Sequence, residues 1–582
     1  MYFAELAEYL DRLEKTASRL EMTRILAELF SKVTPEEGKI IAYLSQGLLG
    51  PKYNNPDTGM GDKQVVKALI LLDSDVEKIF KETGDLGKTV EKIKSQITNN
   101  KSQTNHKLQI TNVYGRLVQI AKVGGSGSVD EKSRLLGELI GDLDSVGAKY
   151  AVKMILGKLR TGFSDMTVLD ALSYMIAGDK SLRENIEQIY NVRADLGETV
   201  RLIKSLKSQD ALKTLKIDPV VGMPVLVARA ERAKTVAEIW ERNGVSAAEH
   251  KLDGLRIQAH VFKSEILNSK FQTEIKLFSR GMENVTAMYP DIVEGLSKQI
   301  KVDCILDGEM IAVGEDGKYR PFQETVQRKR KYNILEMMES VPLKYYVFDV
   351  LSAGGKSFLE EPNEKRWNKL ESIVSVSVRG DTVKLMPRII VKSEKGIQDF
   401  FDEALGEGTE GIVVKKLDGT YKSGSRDFTW IKYKKSYDES AMADTIDAVI
   451  MGYDVGQGKR VGFGIGDFLI GVYDDKTESF KTIAKVGTGL TDEEWKQVKL
   501  SVDSCQLPVK PESFDVSKSM EVDVWCKPKI VVEILADEIT KSPMHTSGLA
   551  LRFPRLVSFR EKKPEDATSI GELNRLFMLQ KK

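Results

Sequence analysis

The stretch that decides the fold of this chain is residues 249–256, EHKLDGLR. It places Lys251 three residues before Gly254 and five before Arg256. Directly after it, residues 257–262 alternate apolar and polar side chains, which predicts a half-buried strand. Gly254 allows a tight turn that a residue with a Cβ would resist. We therefore expect Lys251 at the mouth of a strand and not on a solvated helix face.

A lysine in this position acts as a nucleophile only if its amine loses its proton near neutral pH. Free lysine has a pKa of about 10.4, so burial or a nearby cation must lower that value. The alternative is a surface lysine in a β-turn, because the pattern Lys-x-Asp-Gly often occurs by chance. Signals elsewhere in the chain have to decide between the two interpretations.

Composition restricts the class of protein. The chain has 582 residues, which predicts several domains. Its 87 lysines and arginines almost balance 86 aspartates and glutamates, so a nucleic-acid surface has to come from local patches. Cys304, Cys505 and Cys526 are scattered, which supports neither a zinc knuckle nor a disulfide framework. Without a signal peptide or a membrane-spanning apolar run, we expect a soluble cytoplasmic protein, associated with the nucleoid if the source is prokaryotic.

Residues 1–217 have a helical pattern, with apolar side chains at three- and four-residue spacing. One apolar face is predicted from Leu6, Leu10, Leu13, Ala17 and Leu20. Residues 34–37, Thr-Pro-Glu-Glu, form a capping box that predicts a helix through Leu44. Residues 133–143 and 150–159 predict further amphipathic helices. We therefore expect an all-α N-terminal domain.

Two loops of the helical region have a composition that suits phosphate binding. Residues 124–128 precede a predicted helix that starts near Asp130, and residues 158–162 follow another helix. Glycine-rich loops expose backbone N–H groups, and helix N-termini favour anions. The alternative is that both loops are ordinary connections between helices.

The helical pattern ends near residues 218–224, which contain two prolines and a glycine. Beyond them we predict an α/β domain rich in antiparallel strands for residues 218–435. Residues 436–582 contain short strands, many glycines and one clear helix, residues 492–500. That pattern predicts a small β-barrel of the oligonucleotide-binding (OB) type. The predicted domains are therefore 1–217, 218–435 and 436–582.

Four further signals follow Lys251 in the middle domain. The first is an alternating strand that ends on Arg280, and the second is the pair Asp307 and Glu309 at a turn-to-strand junction. The third is Phe348 beside Asp349. The fourth is Glu410 before a strand, which is followed by Arg426, Lys432 and Lys434. Each has an ordinary explanation as turn chemistry or a solvated strand face. Together they supply what nucleotidyl transfer needs: a nucleophile, cations for a triphosphate, carboxylates for a hard divalent ion and an aromatic ring for a purine.

The order and spacing of these motifs resemble the covalent nucleotidyltransferases, and most closely the ATP-dependent DNA ligases of archaeal and eukaryotic type. Residues 249–256 resemble motif I of that family. Five later motifs follow in the family's order, at residues 279–286, 307–309, 346–349, 410–415 and 430–434. The likeness continues at residues 527–533 and 551–555, and it covers both loops of the helical region.

The resemblance implies a DNA ligase that uses ATP to seal nicks in duplex DNA during replication, repair and recombination. Lys251 would form a lysyl-AMP phosphoramidate and pass AMP to the 5′-phosphate at a nick, which the 3′-hydroxyl then attacks. The implied ATP-binding residues are Glu249 and Phe348 at the base, Arg256 and Glu309 at the ribose, and Arg280, Arg426, Lys432 and Lys434 at the phosphates.

By the same resemblance, Asp253, Glu309 and Glu410 would hold Mg²⁺, for which Mn²⁺ can substitute. The implied DNA contacts are Gly125, Ser126, Gly127, Arg160, Thr161 and Gly162. Such contacts fall mainly on phosphates, so binding should depend on salt and not on base sequence. We expect a monomer that binds nicked double-stranded DNA and no membrane. A sliding clamp stays open as a partner, because no clear clamp-binding peptide is present.

Other classes share parts of this pattern. An mRNA-capping guanylyltransferase or an RNA ligase would have the lysine motif without the long helical domain before it. An NAD-dependent ligase would be expected to carry a cysteine zinc module, and a non-catalytic DNA clamp would not need Lys251 with its cations. One motif departs from the ligases: residues 560–563 read Arg-Glu-Lys-Lys, where the family usually has aspartate at the position of Lys562. A shifted register is the alternative. We expect the third domain to swing about a hinge near Lys435.

Overall fold

The computed structural model describes residues 1–16, 18–98, 108–159, 163–206, 208–266, 270–314, 316–330, 333–375, 381–434, 445–456, 458–488, 490–560 and 562–579. The chain forms two compact units, Met1–Tyr433 and Lys434–Lys582. Within the described ranges, no helix is long and apolar enough to cross a membrane.

The N-terminal region is helical, as its apolar spacing predicts. Its helices are α1 (Phe3–Glu14), α2 (Arg19–Ser31), α3 (Pro35–Leu44), α4 (Asp62–Ile70), α5 (Val76–Thr83), α6 (Leu86–Thr98), α7 (Ile110–Lys122), α8 (Ser128–Asp142), α9 (Ser145–Ile155), α10 (Asp165–Ala177), α11 (Arg183–Val192), α12 (Leu196–Ser205) and α13 (Gln209–Thr214). Buried aliphatic and aromatic side chains from these helices form one continuous core. Helix α3 starts with the predicted capping box, in which Thr34 and Glu37 bond reciprocally, and it ends at Leu44.

The predicted apolar face from Leu6 to Leu20 is wrong at its C-terminal end. Leu6, Leu10 and Leu13 are fully buried, but helix α1 stops at Glu14. Leu20 lies in the next helix and is 46% exposed, while Ala17 falls outside the described residues. Spacing of three and four residues describes one face only while the helix continues, and here the chain turns between two helices.

The first sheet of the middle region has the strand order β1 (Arg229–Arg232), β11 (Arg426–Lys434), β10 (Gly411–Lys416), β2 (Ser246–Lys251) and β9 (Arg388–Val391). Strand β2 lies antiparallel to both of its neighbours, β10 and β9. Helices α14 (Val236–Asn243) and α19 (Glu394–Gly406) pack against this sheet through a buried apolar cluster. Strand β2, which ends at Lys251, therefore lies between its partner strands β10 and β9.

The second sheet has the order β4 (Lys270–Ser279), β3 (Leu255–Ile266), β5 (Cys304–Ala312), β6 (Leu343–Ala353) and β7 (Lys356–Ser357), and β8 (Val383–Leu385) pairs with β6. Helices α15 (Pro290–Gln299) and α18 (Asn363–Ile373) contribute to its core. Two short helices, α16 (Phe322–Thr325) and α17 (Ile334–Ser340), lie between β5 and β6 in the chain. The α/β prediction with mainly antiparallel strands is confirmed.

The predicted turn-to-strand junction at Asp307 is wrong. Asp307, Gly308 and Glu309 lie inside strand β5, where the register with β6 shifts between Asp307 and Gly308. A Cβ at Gly308 would lie 2.6 Å from the carbonyl oxygen of Tyr346, so the glycine permits close approach of two strands and not a turn.

The proline-containing connection between the helices and the sheets is anchored on both sides. The Leu226 N–H donates to the carbonyl of Asn191 at the end of α11 (2.7 Å), and the Gly424 N–H donates to the Leu226 carbonyl (2.8 Å). Nδ1 of the buried His260 on β3 accepts from the Gly222 N–H at 2.8 Å. The helical region and the two sheets therefore share contacts within one unit.

The C-terminal unit contains a sheet of eight strands. Its strands are β12 (Ile446–Asp454), β13 (Asp467–Asp474), β14 (Ser479–Val486), β15 (Gln506–Leu507), β16 (Phe514–Asp515), β17 (Val524–Cys526), β18 (Val531–Leu535) and β21 (Arg555–Arg560), and a separate pair is formed by β19 (Glu538–Lys541) and β20 (Leu549–Arg552). The predicted helix is α20 (Asp492–Asp503), with a capping box at Thr491. A second helix, α21 (Ile570–Leu579), was not predicted.

Candidate active site

Lys251 lies just before strand β3, which contains the predicted strand 257–262, and it is also the last residue of strand β2, which was not predicted. Three residues, Leu252 to Gly254, then lead into β3. Gly254 is required there because a Cβ would lie 2.2 Å from the Met310 carbonyl oxygen of β5, not because of a left-handed backbone. The close packing of this loop on β5 brings the lysine beside the carboxylates of the second sheet.

The Lys251 amine is held by a carboxylate. Its Nζ lies 2.5 Å from Oε2 of Glu410, the residue before β10, and the Glu410 N–H donates to the Lys251 carbonyl at 2.9 Å. The side chains are 22% and 17% exposed, so water and a substrate can reach the pair. An amine engaged in this way has to leave Glu410 before it can act as a nucleophile.

Glu249, two residues earlier on β2, is buried and meets two cations. Its Oε2 lies 2.7 Å from Nζ of Lys415 on β10, and its Oε1 accepts from Nη1 of Arg388 on β9 at 3.2 Å. A carboxylate has about four acceptor positions, so two remain for another donor. Burial lowers the pKa of Lys415, and the Glu249 carboxylate opposes that shift. Glu249 is therefore an acceptor fixed in place by strands on both sides.

Phe348 on β6 lies beside the same lysine. The Lys415 Nζ donates to the Phe348 carbonyl at 3.1 Å and lies 4.6 Å from the centre of its ring. The indole of Trp430 meets the Phe348 ring edge-on, with centroids 6.0 Å apart. This half-buried ring next to a fixed acceptor has the features of a pocket for a planar base.

Arg256 on β3 is fixed by Asp307 and is not an open cation. Its Nε and Nη2 donate to the two oxygens of Asp307 at 3.1 and 2.6 Å, and Nη1 donates to the Ala228 carbonyl at 2.7 Å. Burial alone would lower the pKa of Arg256, but the Asp307 carboxylate raises it above its ordinary value. The Tyr421 hydroxyl also donates to Asp307, at 2.6 Å. One edge of the guanidinium and the aromatic rings define the side of the pocket.

Glu309 carries the most perturbed carboxyl group of the site. Burial raises its pKa to about 7, although the charges of Lys251 and Arg256 oppose the rise. The nearby carboxylates of Asp307 and Glu410 add to it. Two carboxylates close enough to repel each other beside a lysine are a place where a cation would be stabilised.

The predicted metal set of Asp253, Glu309 and Glu410 is not assembled as one cluster. Among the described residues, no group of three His, Cys, Asp or Glu side chains is placed to hold a metal ion. Glu410 is instead paired with the Lys251 amine. Glu309 is close enough to Glu410 for the Glu410 carboxylate to help raise its pKa.

The four cations predicted for the phosphates lie at or near the ends of strands. Arg280 is exposed in the turn after β4, and Arg426 is exposed at the start of β11. Lys432 and Lys434 lie on the last residues of β11 and are partly buried. In the first sheet, only strand β10 lies between β11 and β2.

Of the two predicted DNA loops, one is described. Gly125 and Gly127 have positive φ angles of 85° and 78°, and residues 124–127 are exposed directly before helix α8. A side chain would strain the backbone at both glycines. Arg160, Thr161 and Gly162 lie outside the described residues, as do Glu561 and the hinge predicted near Lys435.

Sequence analysis missed two partners that define the pocket. Arg388 meets Glu249 across 139 residues of chain, and Asp307 meets Arg256 across 51. No local pattern marks Arg388, whereas Asp307 was recognised as part of a motif but given no role. In the C-terminal unit, Lys562 lies 2.5 Å from Asp447, a pair that Arg560 joins.

Three family models match the chain in order. The model described as DNA ligase N terminus matches residues 2–173, and that described as ATP dependent DNA ligase domain matches residues 227–434. The model described as ATP dependent DNA ligase C terminal region matches residues 462–563. The three segments coincide with the helical region, the two sheets and most of the C-terminal unit.

Relatives extend along the whole chain. It is 43% identical over 598 residues to a protein named Probable DNA ligase from Dictyoglomus turgidum, with 100% of this chain and 98% of that protein covered. It is 37% identical over 608 residues to a protein named DNA ligase from Saccharolobus solfataricus, with the same coverage. A solved structure titled Pmar-Lig_PreS3 covers 96% of this chain and 99% of its own, at 15% identity and a TM-score of 0.50, which is a likeness of fold alone.

Proposed function

The chain belongs to the ATP-dependent DNA ligase family and seals nicks in duplex DNA, and we propose that Lys251 is the residue that carries AMP in that reaction. The observation that carries the proposal is the position of its amine, at the end of β2 beside Glu410 and two residues from the buried acceptor Glu249. The family expected from the six motifs is confirmed, and the roles of individual residues are what we add.

In the first step, Lys251 leaves Glu410, loses a proton and forms a bond from its nitrogen to the α-phosphorus of ATP while pyrophosphate departs. AMP then passes from the lysine to a 5′-phosphate oxygen of DNA. The 3′-hydroxyl attacks that phosphate, its proton is released and AMP leaves. A phosphate monoester lacks a good leaving group, and attached AMP supplies one.

Glu249 and Phe348 bind the base in this proposal. The carboxylate of Glu249 accepts from the 6-amino group of adenine, and the ring of Phe348 stacks on the base. Asp307 holds Arg256 at the ribose, so that the ribose contact is positioned before ATP enters. Arg280, Arg426, Lys432 and Lys434 neutralise the phosphates.

The donor set near Lys251 suits Mg²⁺. Magnesium usually takes one or two carboxylates and completes its shell with phosphate oxygens and water, so Glu309 and Glu410 suffice without Asp253. When bound, the ion offsets negative charge on the phosphate being transferred. Glu410, drawn to a cation, would release the Lys251 amine from its ion pair.

DNA binding falls to the helical region and the C-terminal unit. We propose that the exposed loop Gly125, Ser126 and Gly127 contacts phosphates, together with Arg160, Thr161 and Gly162, and that the C-terminal sheet forms an OB-type barrel. The pairing of β18 with both β12 and β21 supports a curved sheet. Monomeric function, the domain limits at residues 217 and 435, and any use of a sliding clamp stay predictions.

The test of the central proposal is to incubate the protein with α-labelled ATP and Mg²⁺ and then to map the labelled peptide. We expect the label on Lys251 alone. Label on another lysine would overturn the assignment. Ser126→Asp tests the DNA loop separately: nick affinity should fall at low salt because a negative charge is added, while labelling with AMP should be unchanged.

A further inference from the structure

We propose that Arg388 is a positioning residue that makes this active site select adenine, by holding the Glu249 carboxylate in place and aimed at the 6-amino group of the base. This inference rests on the proposed role of Glu249 as the reader of the base. No sequence motif marks Arg388, which lies on the edge strand β9 of the first sheet.

Arg388 is built into the wall behind the pocket. Its side chain is 5% exposed, and its Nη1 donates to Glu249 while its Nη2 donates to Oδ1 of Asn363 at 3.0 Å. The guanidinium lies 4.4 Å from the centre of the Trp367 ring. Asn363 and Trp367 both belong to helix α18, so the second sheet's helix fixes the orientation of the arginine. A guanidinium that is held at Nη1, at Nη2 and on its face has little freedom to rotate.

The reason that Glu249 needs such a partner is its burial. An ionised carboxylate that is 2% exposed carries a large desolvation penalty unless cations are bonded to it. Lys415 binds one oxygen and Arg388 the other, so the carboxylate is held by a cation on each side. Without Arg388 the carboxylate can rotate toward Lys415, and its acceptor position at the base is then lost.

An acceptor-only carboxylate discriminates between purines. The 6-amino group of adenine donates to it, whereas the 6-oxo group of guanine is itself an acceptor and is repelled. An unsubstituted purine makes no bond there. A hydrogen bond to a charged group corresponds to a preference of about 10- to 150-fold, which is the preference for ATP that we assign to the Arg388–Glu249 pair.

The experiment measures pyrophosphate release in single-turnover lysine charging with ATP and with purine riboside triphosphate, which lacks the 6-amino group. Arg388→Met should reduce the ratio of the two second-order rate constants of charging about tenfold or more, almost entirely through a higher half-saturating concentration of ATP. Arg388→Lys keeps the charge without the fork and should give an intermediate ratio. Arg328→Met is the matched control, because Arg328 is also buried and paired, with Asp291, but does not contact Glu249.

A purely structural arginine would give a different result. If Arg388→Met lowered charging with both nucleotides equally, or changed neither, the inference would be overturned. Should that variant not fold, Arg388→Lys decides alone, since a wild-type ratio or an equal loss with both nucleotides rejects the inference.

Glu249→Leu, which cannot accept a hydrogen bond from the 6-amino group, separates this inference from the function on which it rests. If Glu249→Leu removes the preference for ATP and Arg388→Met does not, only the role of Arg388 fails. If Glu249→Leu leaves the preference intact, the base-reading role of Glu249 fails as well.

Discussion

Strand β2 carries two ion-paired side chains of opposite character within three residues. Glu249 is 2% exposed and is bonded to Lys415 and Arg388, which are 1% and 5% exposed. Lys251 is paired with Glu410, and the two side chains are 22% and 17% exposed. The same strand therefore holds one charge in a closed network and another at an accessible edge.

This difference in exposure and pairing suits two proposed roles, recognition of the base by Glu249 and reaction with ATP by Lys251. Breaking a buried pair leaves a charge with no water to solvate it, at a cost of about 3–5 kcal/mol, so the network at Glu249 stays closed. A partly exposed pair contributes about 1 kcal/mol or less, so Lys251 can leave Glu410 easily. Glu249, the proposed base reader, is fixed, while Lys251, the proposed nucleophile two residues away, can move.

The largest effect should come from removing the amine of Lys251. Lys251→Ala is expected to abolish both labelling with AMP and sealing of a nicked duplex, because no other amine occupies the end of β2. Lys416→Ala is the control, since Lys416 lies on β10 with a side chain that is 44% exposed. Substantial AMP labelling of the Lys251 variant would remove the nucleophile from this strand.

Exchanging the two carboxylates for amides tests the comparison itself. Glu249→Gln should lower the free energy of unfolding by about 3 kcal/mol, because Lys415 and Arg388 lose their counter-charge in a buried place. Glu410→Gln should lower it by about 1 kcal/mol or less but slow lysyl-AMP formation by about 100-fold, since a carboxylate proposed to hold Mg²⁺ is lost. Denaturant titration and single-turnover charging measure the two quantities. Equal losses of stability in both variants would contradict the distinction between the fixed Glu249 and the movable Lys251.

A smaller effect is expected from the buried carboxyl group of Glu309 on β5. Glu309 has its pKa raised from 4.5 to about 7 on folding, so the native state holds its proton more tightly than the unfolded chain does. Its contribution to stability is therefore present below pH 4.5 and is lost as the pH rises through about 7. Glu309→Gln cannot ionise, so its stability relative to the wild type should increase across that window and level off above it. Thermal unfolding at a series of pH values measures this, and a constant difference would show that Glu309 does not titrate there.

The smallest effect should come from a still more exposed pair in the C-terminal unit. Lys562 is 46% exposed and bonds to Asp447, which also meets Arg560. Lys562→Asp should change the free energy of unfolding by about 1 kcal/mol or less, because Arg560 still neutralises Asp447. It should alter the rate of lysyl-AMP formation and leave sealing of a pre-adenylylated nick nearly unchanged. An effect confined to pre-adenylylated sealing would refute a role for this loop in charging.

Local patterns predicted the elements well and the interiors of the sheets less well. The capping box at Thr34 and the strand that follows Lys251 depend on neighbours in the chain, and both are confirmed. The Asp307-Gly308 pair has the composition of a turn, but close packing against β6 places it inside a strand. Leu20 matched the spacing of the first helix, but a turn of the chain put it on another. In each error, contacts with distant residues outweighed a local preference.

By itself, the sequence determined that helices precede strands and that a strand follows Lys251, and its six ordered motifs carried the resemblance to the ligases. The first two follow from the periodicity of side chains along a helix or strand, and the third from residue identities within short contiguous segments. Only the tertiary structure decided that Glu249 meets Arg388 and Lys415, and that Lys251 meets Glu410. Those partners depend on which strands flank β2, and strand pairing is set by the burial of whole sheets, which no short stretch encodes.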